Sequence, residues 1–437
     1  MKTSNALIIG AGVCGPVAAL ALRRAGIGAT IYEARREPEE DAGSYLTVAT
    51  NGLDALRAVD ACEPVLDAAF PTRETVMWSG AGKRLGRVPI GATLQNGTAS
   101  HTIKRAHLHR VLHDQATRRG VPVELGKRLI GVEMVSEQAV ARFEDGSEAV
   151  GDVLIGCDGI RSIVRRTIDP NAPAPRYVGL LNFGGYTSSV AAAEPGAWHM
   201  IFGKRAFFGY ATDPAGGTVW FANAPRAPVT RTERESTTGE QWKRWLLDLF
   251  ADDHGPAAEL IAKGVLELAA DNTHDLPFVL TWHKGPLIVI GDAAHAPSPS
   301  SGQGASMAIE DGVLLAMCLR DLPDRHGAFV AFERLRRRRV ERIVAQGARS
   351  SSSKALGPMG RTLRDLMLPF VFKYIFTEKS LAWMYDHHIE WDSRLSTLDS
   401  GLWTLDSLSI SSTLNRRLDR RTDTNAIHDD RQSEQRV

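Results

Sequence analysis

Apolar positions change their period several times along the chain, and each change marks an element. "NALII" is a continuous apolar run that reads as a buried strand, "CGPVAALALRRAG" repeats its apolar positions at helical spacing, and "GATIYEA" returns to a strand. "KRAHLHRVLHDQATRRG" is helical through Leu108, Val111 and Leu112, while "EAVGDVLIGCDGIRSIVRRTI" reads as strand, carboxylate, turn and helix. From about 175 to 280 the pattern becomes aromatic and alternating, in "FGGYTSSV", "AWHMIFG", "RAFFGYATD" and "GGTVWFANA", with turns between. Such alternation predicts an antiparallel sheet inserted between parts of a second domain. "ETVMWSGAGKRLGRVPIG" predicts a hairpin, and "EQWKRWLLDLFADDHGPAAELIAKG" a helical stretch. The run "GPLIVI" supplies a last parallel strand, after which "GDAAHAPSPSSGQG" dissolves into turn formers before a further helix.

The expected fold is therefore α/β: a Rossmann-like parallel-sheet domain in three parts, an inserted antiparallel β-sheet domain and C-terminal helices. The divisions are 1–73, 101–175 and 281–345 for the parallel-sheet domain, 74–100 for the hairpin of the second domain and 176–280 for its sheet. A helical region follows over 346–414, and 415–437, almost without apolar residues, is expected to be disordered. "LRDLMLPFVFKYIF" within the helical region carries Asp365, Pro369 and Lys373 and is too short to span a bilayer. It reads as an amphipathic docking helix.

Composition narrows the partners. At 437 residues the chain is long enough to bury a cofactor between two domains. Lys and Arg number 52 against 51 Asp and Glu, so nothing global favours nucleic acid or an anionic membrane. In "FERLRRRRVERI", Glu333 and Glu341 interleave with the arginines, which predicts a solvated charged helix face. The four cysteines (Cys14, Cys62, Cys157, Cys318) form no C-x-x-C, which argues against a disulfide scaffold or a metal site and for a reducing, cytoplasmic compartment. Glycines interrupt "ALIIGAGVCGPVAALAL", so it does not read as a secretory signal. Arg outnumbers Lys 41 to 11, which hints at a GC-rich bacterial genome and secondary metabolism.

Gly10, Gly12 and Gly15 form G-x-G-x-x-G between a strand and a helix, with Gly26 and then Glu33 at the end of the second strand. Gly10 permits the sharp turn, Gly12 admits a pyrophosphate, and Gly15 allows helix and strand to pack closely. The helix N-terminus offers N–H groups to the anion, and Glu33 accepts from a ribose diol. The pattern predicts an unphosphorylated adenosine ribose, hence FAD or NAD.

Together this βαβ start, "CDGIRSIVR" and "GDAAHAPSPSSGQG" resemble the group A FAD-dependent monooxygenases, the p-hydroxybenzoate hydroxylase-like family, over roughly residues 4–345. The resemblance implies a GR2-type FAD-binding domain and assigns roles. Gly10, Gly12, Val13, Cys14, Gly15, Glu33, Ala34 and Arg35 hold the adenosine and pyrophosphate end, and Arg105 contacts FAD from the start of a helix. Asp158 and Gly159, with Arg161, belong to a motif that serves FAD and NAD(P)H, although Asp158 also suits a helix cap. Asp292 accepts from the ribityl chain. Pro299, Gly302, Gln303, Gly304 and Ala305 bring backbone N–H groups and a helix N-terminus to the pyrimidine edge of the flavin.

Only one fingerprint is present, so NADH or NADPH is expected to dock transiently, reduce the flavin and leave. The resemblance then implies a flavin C4a-hydroperoxide that passes one oxygen atom from O2 to a small aromatic or polyene substrate in an apolar pocket. Tyr186, Phe208 and Tyr210 are the expected substrate contacts, and Tyr210, His199 and Pro299 the catalytic candidates. Gly184-Gly185 stands where urate-hydroxylase-like relatives carry an arginine, so an acidic or urate-like substrate is not expected. His295 is read as a backbone-bonding residue near the cofactor. The chain is expected to be a monomer or homodimer, without stable membrane insertion. The competing readings are a flavin reductase or halogenase of the same fold and a non-redox scaffold that cyclises a polyene.

Overall fold

A computed structural model of the chain describes residues 3–37, 44–352, 354, 358–397 and 403–404. The chain divides into two compact units, Met1–Trp391 and Asp392–Val437. In the second, Ser396–Thr397 pairs antiparallel with Trp403–Thr404. The tail expected over 415–437 lies outside the described residues.

In the first unit, one sheet runs in the order His283–Lys284, Leu287–Val289, Val153–Gly156, Asn5–Ile9, Gly28–Glu33 and Val123–Leu125. All pairings are parallel except the edge pair of His283–Lys284 with Leu287–Val289. Strands covered on both faces read as uninterrupted apolar runs; Val153–Gly156 and Leu287–Val289 are buried at every position. Ile9 lies opposite Gly156, and Gly156 opposite Val289. The carboxyl ends of three adjacent strands are thereby level, and each leads into one of the glycine-containing turns. Helices Cys14–Arg24 and Gly304–Asp321 pack closely beside the sheet: a Cβ on Gly312 would lie 2.8 Å from the Ala18 nitrogen.

The second sheet runs in the order Val265–Asp275, Arg176–Thr187, Thr218–Pro225, Phe207–Thr212, Ala197–Phe202, Glu74–Ser79 and Arg84–Pro89. Strand alternation sends its side chains to two different surroundings. Phe183, Ile201, Phe208, Tyr210 and Trp220 pack under Trp242, Leu246 and Phe250 of helix Gly239–Phe250, with Leu260 and Ile261 of helix Ala257–Lys263. The helical stretch expected over this region is thus two helices, parted at "ADDHGP". The opposite face carries Trp198, Ala211 and Val219, with Tyr186, Met200 and Phe221 half-buried beside them. That face meets a small sheet, Tyr45–Val48, His101–Lys104 and Phe70–Pro71, where Trp198 Nε1 donates to Thr47 Oγ1 (3.1 Å) and Thr102 Oγ1 (2.9 Å). Each large side chain buried in these layers contributes about 1.5–3 kcal/mol.

Three helices follow, Arg325–Ser352, Pro358–Tyr374 and Glu378–Tyr385. Leu368 and Phe372 of the second pack against Leu85, Phe202 and Phe207 at the edge of the aromatic sheet. No helix among the described residues is long and apolar enough to cross a membrane.

Candidate functional site

The glycines of the first turn do different physical work. Gly10 takes φ +106°, and a Cβ there would lie 2.5 Å from the carbonyl oxygen of Cys157. A Cβ on Gly15 would lie 2.0 Å from the Gly10 carbonyl oxygen, whereas one on Gly12 would meet no atom within 4 Å. Gly10 and Gly15 are required by the protein's own packing; Gly12 opens onto space. Val13, the residue before helix Cys14–Arg24, gives no side-chain cap, and the first turn carries no acid. Its N–H groups, which lack intrahelical acceptors, are left for an anion. Glu33 accepts from the N–H groups of Ala11 (2.7 Å) and Arg35 (3.0 Å), one on each carboxylate oxygen. The carboxylate is thereby steered to the turn, with lone pairs remaining for a ribose diol. Ala34 is half-buried beside it and Arg35 is exposed.

The second turn abuts the first. Cys157 N–H donates to Ile9 O (2.8 Å), and Asp158 Oδ2 accepts from the N–H groups of Ile163 (2.7 Å) and Val164 (3.2 Å). Asp158 is therefore a helix cap with one oxygen. Its other oxygen, Oδ1, is buried without a partner, and burial pushes the carboxyl above its ordinary range despite these N–H groups and the Ser162 hydroxyl. An orphaned acceptor of this kind calls for a donor from a ligand. Gly159 takes φ +73° with open space beside it, and Arg161 is exposed. Arg165 is buried and fastens this turn to the third, donating to Ile160 O (2.7 Å) and Ala293 O (2.8 Å).

The third turn leaves Leu287–Val289 through Ile290, which donates to Gly156 O (3.1 Å). Asp292 follows between buried neighbours, Gly291 and Ala293. The side chain keeps accessible surface, yet loss of hydration pushes its pKa up, opposed by the charges of His295 and Arg105. Accessibility with poor hydration marks the wall of an interior crevice rather than the outer surface. Arg105 begins helix Arg105–Arg118, donates its N–H to Ser44 O (3.0 Å), and brings its charge toward Asp292.

Beyond Asp292 the turn is held from beneath. Asp311 Oδ2 receives Gly291 N–H (2.8 Å) and His295 Nε2 (2.6 Å), and its Oδ1 receives Arg336 Nε (2.6 Å). His295 donates from Nε2 here, to a side-chain carboxylate rather than to the backbone as expected; the residue anchors the loop and stands buried behind it. Pro299 starts the one-turn helix Pro299–Ser301, Gly302 is left-handed at φ +63°, and Gln303 is buried with its Oε1 accepting from Asn51 Nδ2 (3.0 Å). Gln303 gives helix Gly304–Asp321 no side-chain cap, and no acid lies in that helix's first turn. Gly304 and Ala305 are half-buried there. A second uncapped helix N-terminus thus points its partial positive charge toward the site.

The expected substrate residues separate. His199, Phe208 and Tyr210 lie on the sheet face covered by helices, away from Tyr186 and Trp198. His199 stacks on Tyr210 at 4.9 Å and accepts from Trp78 Nε1 (3.2 Å). Burial, with Arg87 and Arg84, lowers the His199 pKa, and burial pushes Tyr210 up to about 12. Phe208 is wholly buried. Strand alternation places Phe208 and Tyr210 in the core and His199, half-buried, beside Tyr210 on the same face, and the structure does not bring them to the crevice. Tyr186 alone of the set faces the small sheet, stacked on Tyr45 at 6.5 Å and donating to Gly216 O (3.1 Å).

The arginine-rich helix also differs from expectation. Arg336 is fully buried between Glu310 and Asp311, and Arg339 pairs with Glu310 at 2.8 Å. Arg334 and Arg338 are exposed as expected, whereas Arg337, bridging Glu333 and Glu341, is half-buried and also donates to Val279 O and Leu280 O (both 2.8 Å). Two acids inside the otherwise apolar "ASMAIEDGVLLAM" were the available signal, because buried carboxylates need paired charges. The hollow of about 680 Å³ on the outside of this helix, lined by His283, Arg334, Arg337 and Arg342 among others, includes no residue of the three turns.

Among the described residues no group of side chains suits a metal ion. The open Gly12 position, the orphaned Asp158 oxygen, the crevice carboxylate of Asp292 and two uncapped helix N-termini fit FAD laid across the level strand ends. A family model described as FAD binding domain matches residues 3–346. Aurachin C monooxygenase/isomerase of Stigmatella aurantiaca is 30% identical over 348 residues, 79% of this chain and 88% of that protein. The FAD-dependent urate hydroxylase of Klebsiella pneumoniae is 29% identical over 346 residues, 78% of this chain and 88% of that protein. A solved structure of a Klebsiella pneumoniae HpxO variant complexed with FAD superposes with a TM-score of 0.74 at 25% identity, covering 84% of this chain and 94% of that one. The chain belongs to the group A FAD-dependent monooxygenases, the p-hydroxybenzoate hydroxylase-like family, and FAD is its cofactor.

Proposed function

We propose that the chain uses NADH or NADPH as a transient reductant and inserts one oxygen atom of O2 into an apolar aromatic or polyunsaturated small molecule, most readily as a hydroxylation. The observation that carries this reading is the aromatic sheet face turned toward the small sheet of the nucleotide domain, with Tyr186, Trp198 and Phe221 around Met200, continued by Phe207 where helix Pro358–Tyr374 packs on it. Flat apolar walls bind flat apolar ligands and exclude water. A single glycine fingerprint supports a nicotinamide that visits rather than resides. Secondary metabolism in a bacterium remains the setting that the arginine-rich composition favours.

When bound, FAD supplies the electron transfer and the oxygen-transfer chemistry. The chain's residues do the rest. Glu33 and the N–H groups after Gly12 would hold the adenosine and pyrophosphate end, and Asp292 and Arg105 the middle. The N-terminus of helix Gly304–Asp321 would offer the flavin's pyrimidine edge a fixed positive field, worth about 0.3–1 kcal/mol. The aromatic face keeps water from the reacting centre.

Purified holoprotein given NADH or NADPH and a panel of phenols, naphthols and polyenes should consume reductant and O2 together. Isotopically labelled dioxygen should then place one atom in the product. Reductant consumption without O2 uptake would replace oxygenation by simple flavin reduction, and flavin binding with neither would leave a scaffold.

A further inference from the structure

Helix Arg325–Ser352 ends against the flavin loop. Ser351 Oγ lies 2.5 Å from Ser298 Oγ and 3.0 Å from Ser300 Oγ, and a Cβ on Gly347 would lie 3.0 Å from Ser301 Cβ. Three residues further on, Lys354 has reached the aromatic sheet. Its Nζ donates to Asn223 Oδ1 (2.7 Å) and stands over the Phe207 ring at 4.1 Å and the Phe221 ring at 5.9 Å. Three residues span at most about 11 Å. Lys354 therefore bridges the loop at the flavin's pyrimidine edge and the aromatic face assigned to substrate.

The surroundings of this amine are neutral. Asn223 is itself oriented by donating from Nδ2 to Asn182 Oδ1 (2.9 Å), and the two rings offer only their faces. No carboxylate among the described residues pairs with Lys354, and burial alone pushes its pKa down to about 7. The side chain nevertheless retains accessible surface, the same combination that places Asp292 on a crevice wall. An ammonium has three donor positions and Asn223 uses one.

We propose that Lys354 is a catalytic residue that takes the proton of an acidic hydroxyl on an aromatic substrate and holds the resulting oxyanion. The inference rests on the monooxygenase reading and names its substrate class, hydroxyarenes, with the recognising cation supplied from beyond the arginine-rich helix rather than from the first substrate strand. In this step the substrate O–H bond breaks, its electron pair stays on oxygen, and an N–H bond forms at Nζ. No electrons pass to or from the flavin, and the proton returns when product leaves. The oxyanion feeds electron density into the ring, which is what transfer of an electrophilic oxygen requires. An amine that titrates near the working pH suits a general base.

The test uses FAD-loaded enzyme with 2-naphthol as probe and 2-methoxynaphthalene as the partner lacking the proton. At pH 7, where a simple phenol titrating near about 10 is neutral in water, wild type should show the absorption of bound naphtholate. Lys354→Met should show neutral naphthol, bound about 10-fold or more weakly, with unchanged affinity for the methoxy compound. Acetylation of the wild type with dilute acetic anhydride provides a measurement that needs no variant: at pH 7 Lys354 should react ahead of exposed Lys204, and 2-naphthol should protect it. The proposal is overturned if wild type binds naphthol in its neutral form or not at all, if the naphtholate band survives Lys354→Met, or if Lys354 reacts no faster than Lys204. Bound naphtholate without O2 uptake would uphold Lys354 and sink the oxygenase reading instead, so the two failures are distinct.

Discussion

Gly15 approaches Gly10 so closely that a Cβ on Gly15 would lie 2.0 Å from the Gly10 carbonyl oxygen, while Gly12, between them, faces nothing within 4 Å. The two positions should therefore fail differently. Gly15→Ala is expected to destabilise the protein itself by about 1–3 kcal/mol or more through overpacking. Gly12→Ala should leave the apoprotein's thermal midpoint near wild type but fill space needed by the pyrophosphate, weakening FAD binding about 10-fold or more. Thermal melts of apoprotein and FAD titration separate the two; equal stability losses would contradict the assignment.

Asp292 is an acid whose surroundings favour its neutral form, because lost hydration raises its pKa more than His295 and Arg105 lower it. A folded-state value above the unfolded one means that this group opposes folding at neutral pH and does so less as pH falls. Asp292→Asn should leave the apoprotein as stable as wild type or more so, yet lose FAD affinity. Calorimetry of apoprotein beside flavin content after desalting checks it, and a large stability loss with normal flavin content would be the wrong outcome.

Beneath the loop, burial raises the pKa of Glu310 and Asp311, but the charges of Arg336, Arg339 and His295 outweigh it and hold both acids below their ordinary values. Their contribution to stability is complete above the usual carboxylate range near about 4 and is lost as pH falls through the depressed values. Arg336→Met takes the guanidinium from between two buried acids, leaving Glu310 to Arg339 and Asp311 to His295 and Gly291 N–H, and should cost about 3 kcal/mol at pH 7. Urea unfolding at pH 7 and at pH 4 should show the penalty shrinking on acidification.

Phe208 and Trp198 sit on opposite faces of one sheet. Phe208→Ala is expected to cost about 3–5 kcal/mol of stability, with the ratio of kcat/KM between two substrates unchanged. Trp198→Phe should cost less and shift that ratio about 10-fold, the scale of a reshaped apolar pocket. Denaturant melts and paired substrate kinetics on both variants decide the matter.

The family and its cofactor were legible because each depends on a local pattern: a glycine turn between strand and helix, and an aspartate ending an apolar strand before turn formers. Those patterns are dictated by steric demands within a few residues. The facing of strands was less legible. Phe208 and Tyr210 are as aromatic as Phe207 and Phe221, and which pair meets the nucleotide domain depends on register with strands far away in sequence. The burial of Arg336 was hidden for a related reason, since a run of arginines looks solvated until the two acids of a neighbouring helix are placed beside it. Lys354 carried no sequence signal: it follows a serine run and acquires its setting only from Asn223 and Phe207, which no local spacing connects to it.

The most direct test is a crystal structure of the FAD-loaded chain. The expected result is adenosine at Glu33, pyrophosphate against the N–H groups following Gly12, the ribityl chain at Asp292 and the flavin's pyrimidine edge at Gly302–Gly304. A flavin bound elsewhere, or these strand ends closed over by side chains in a protein that retains its FAD, would contradict the account.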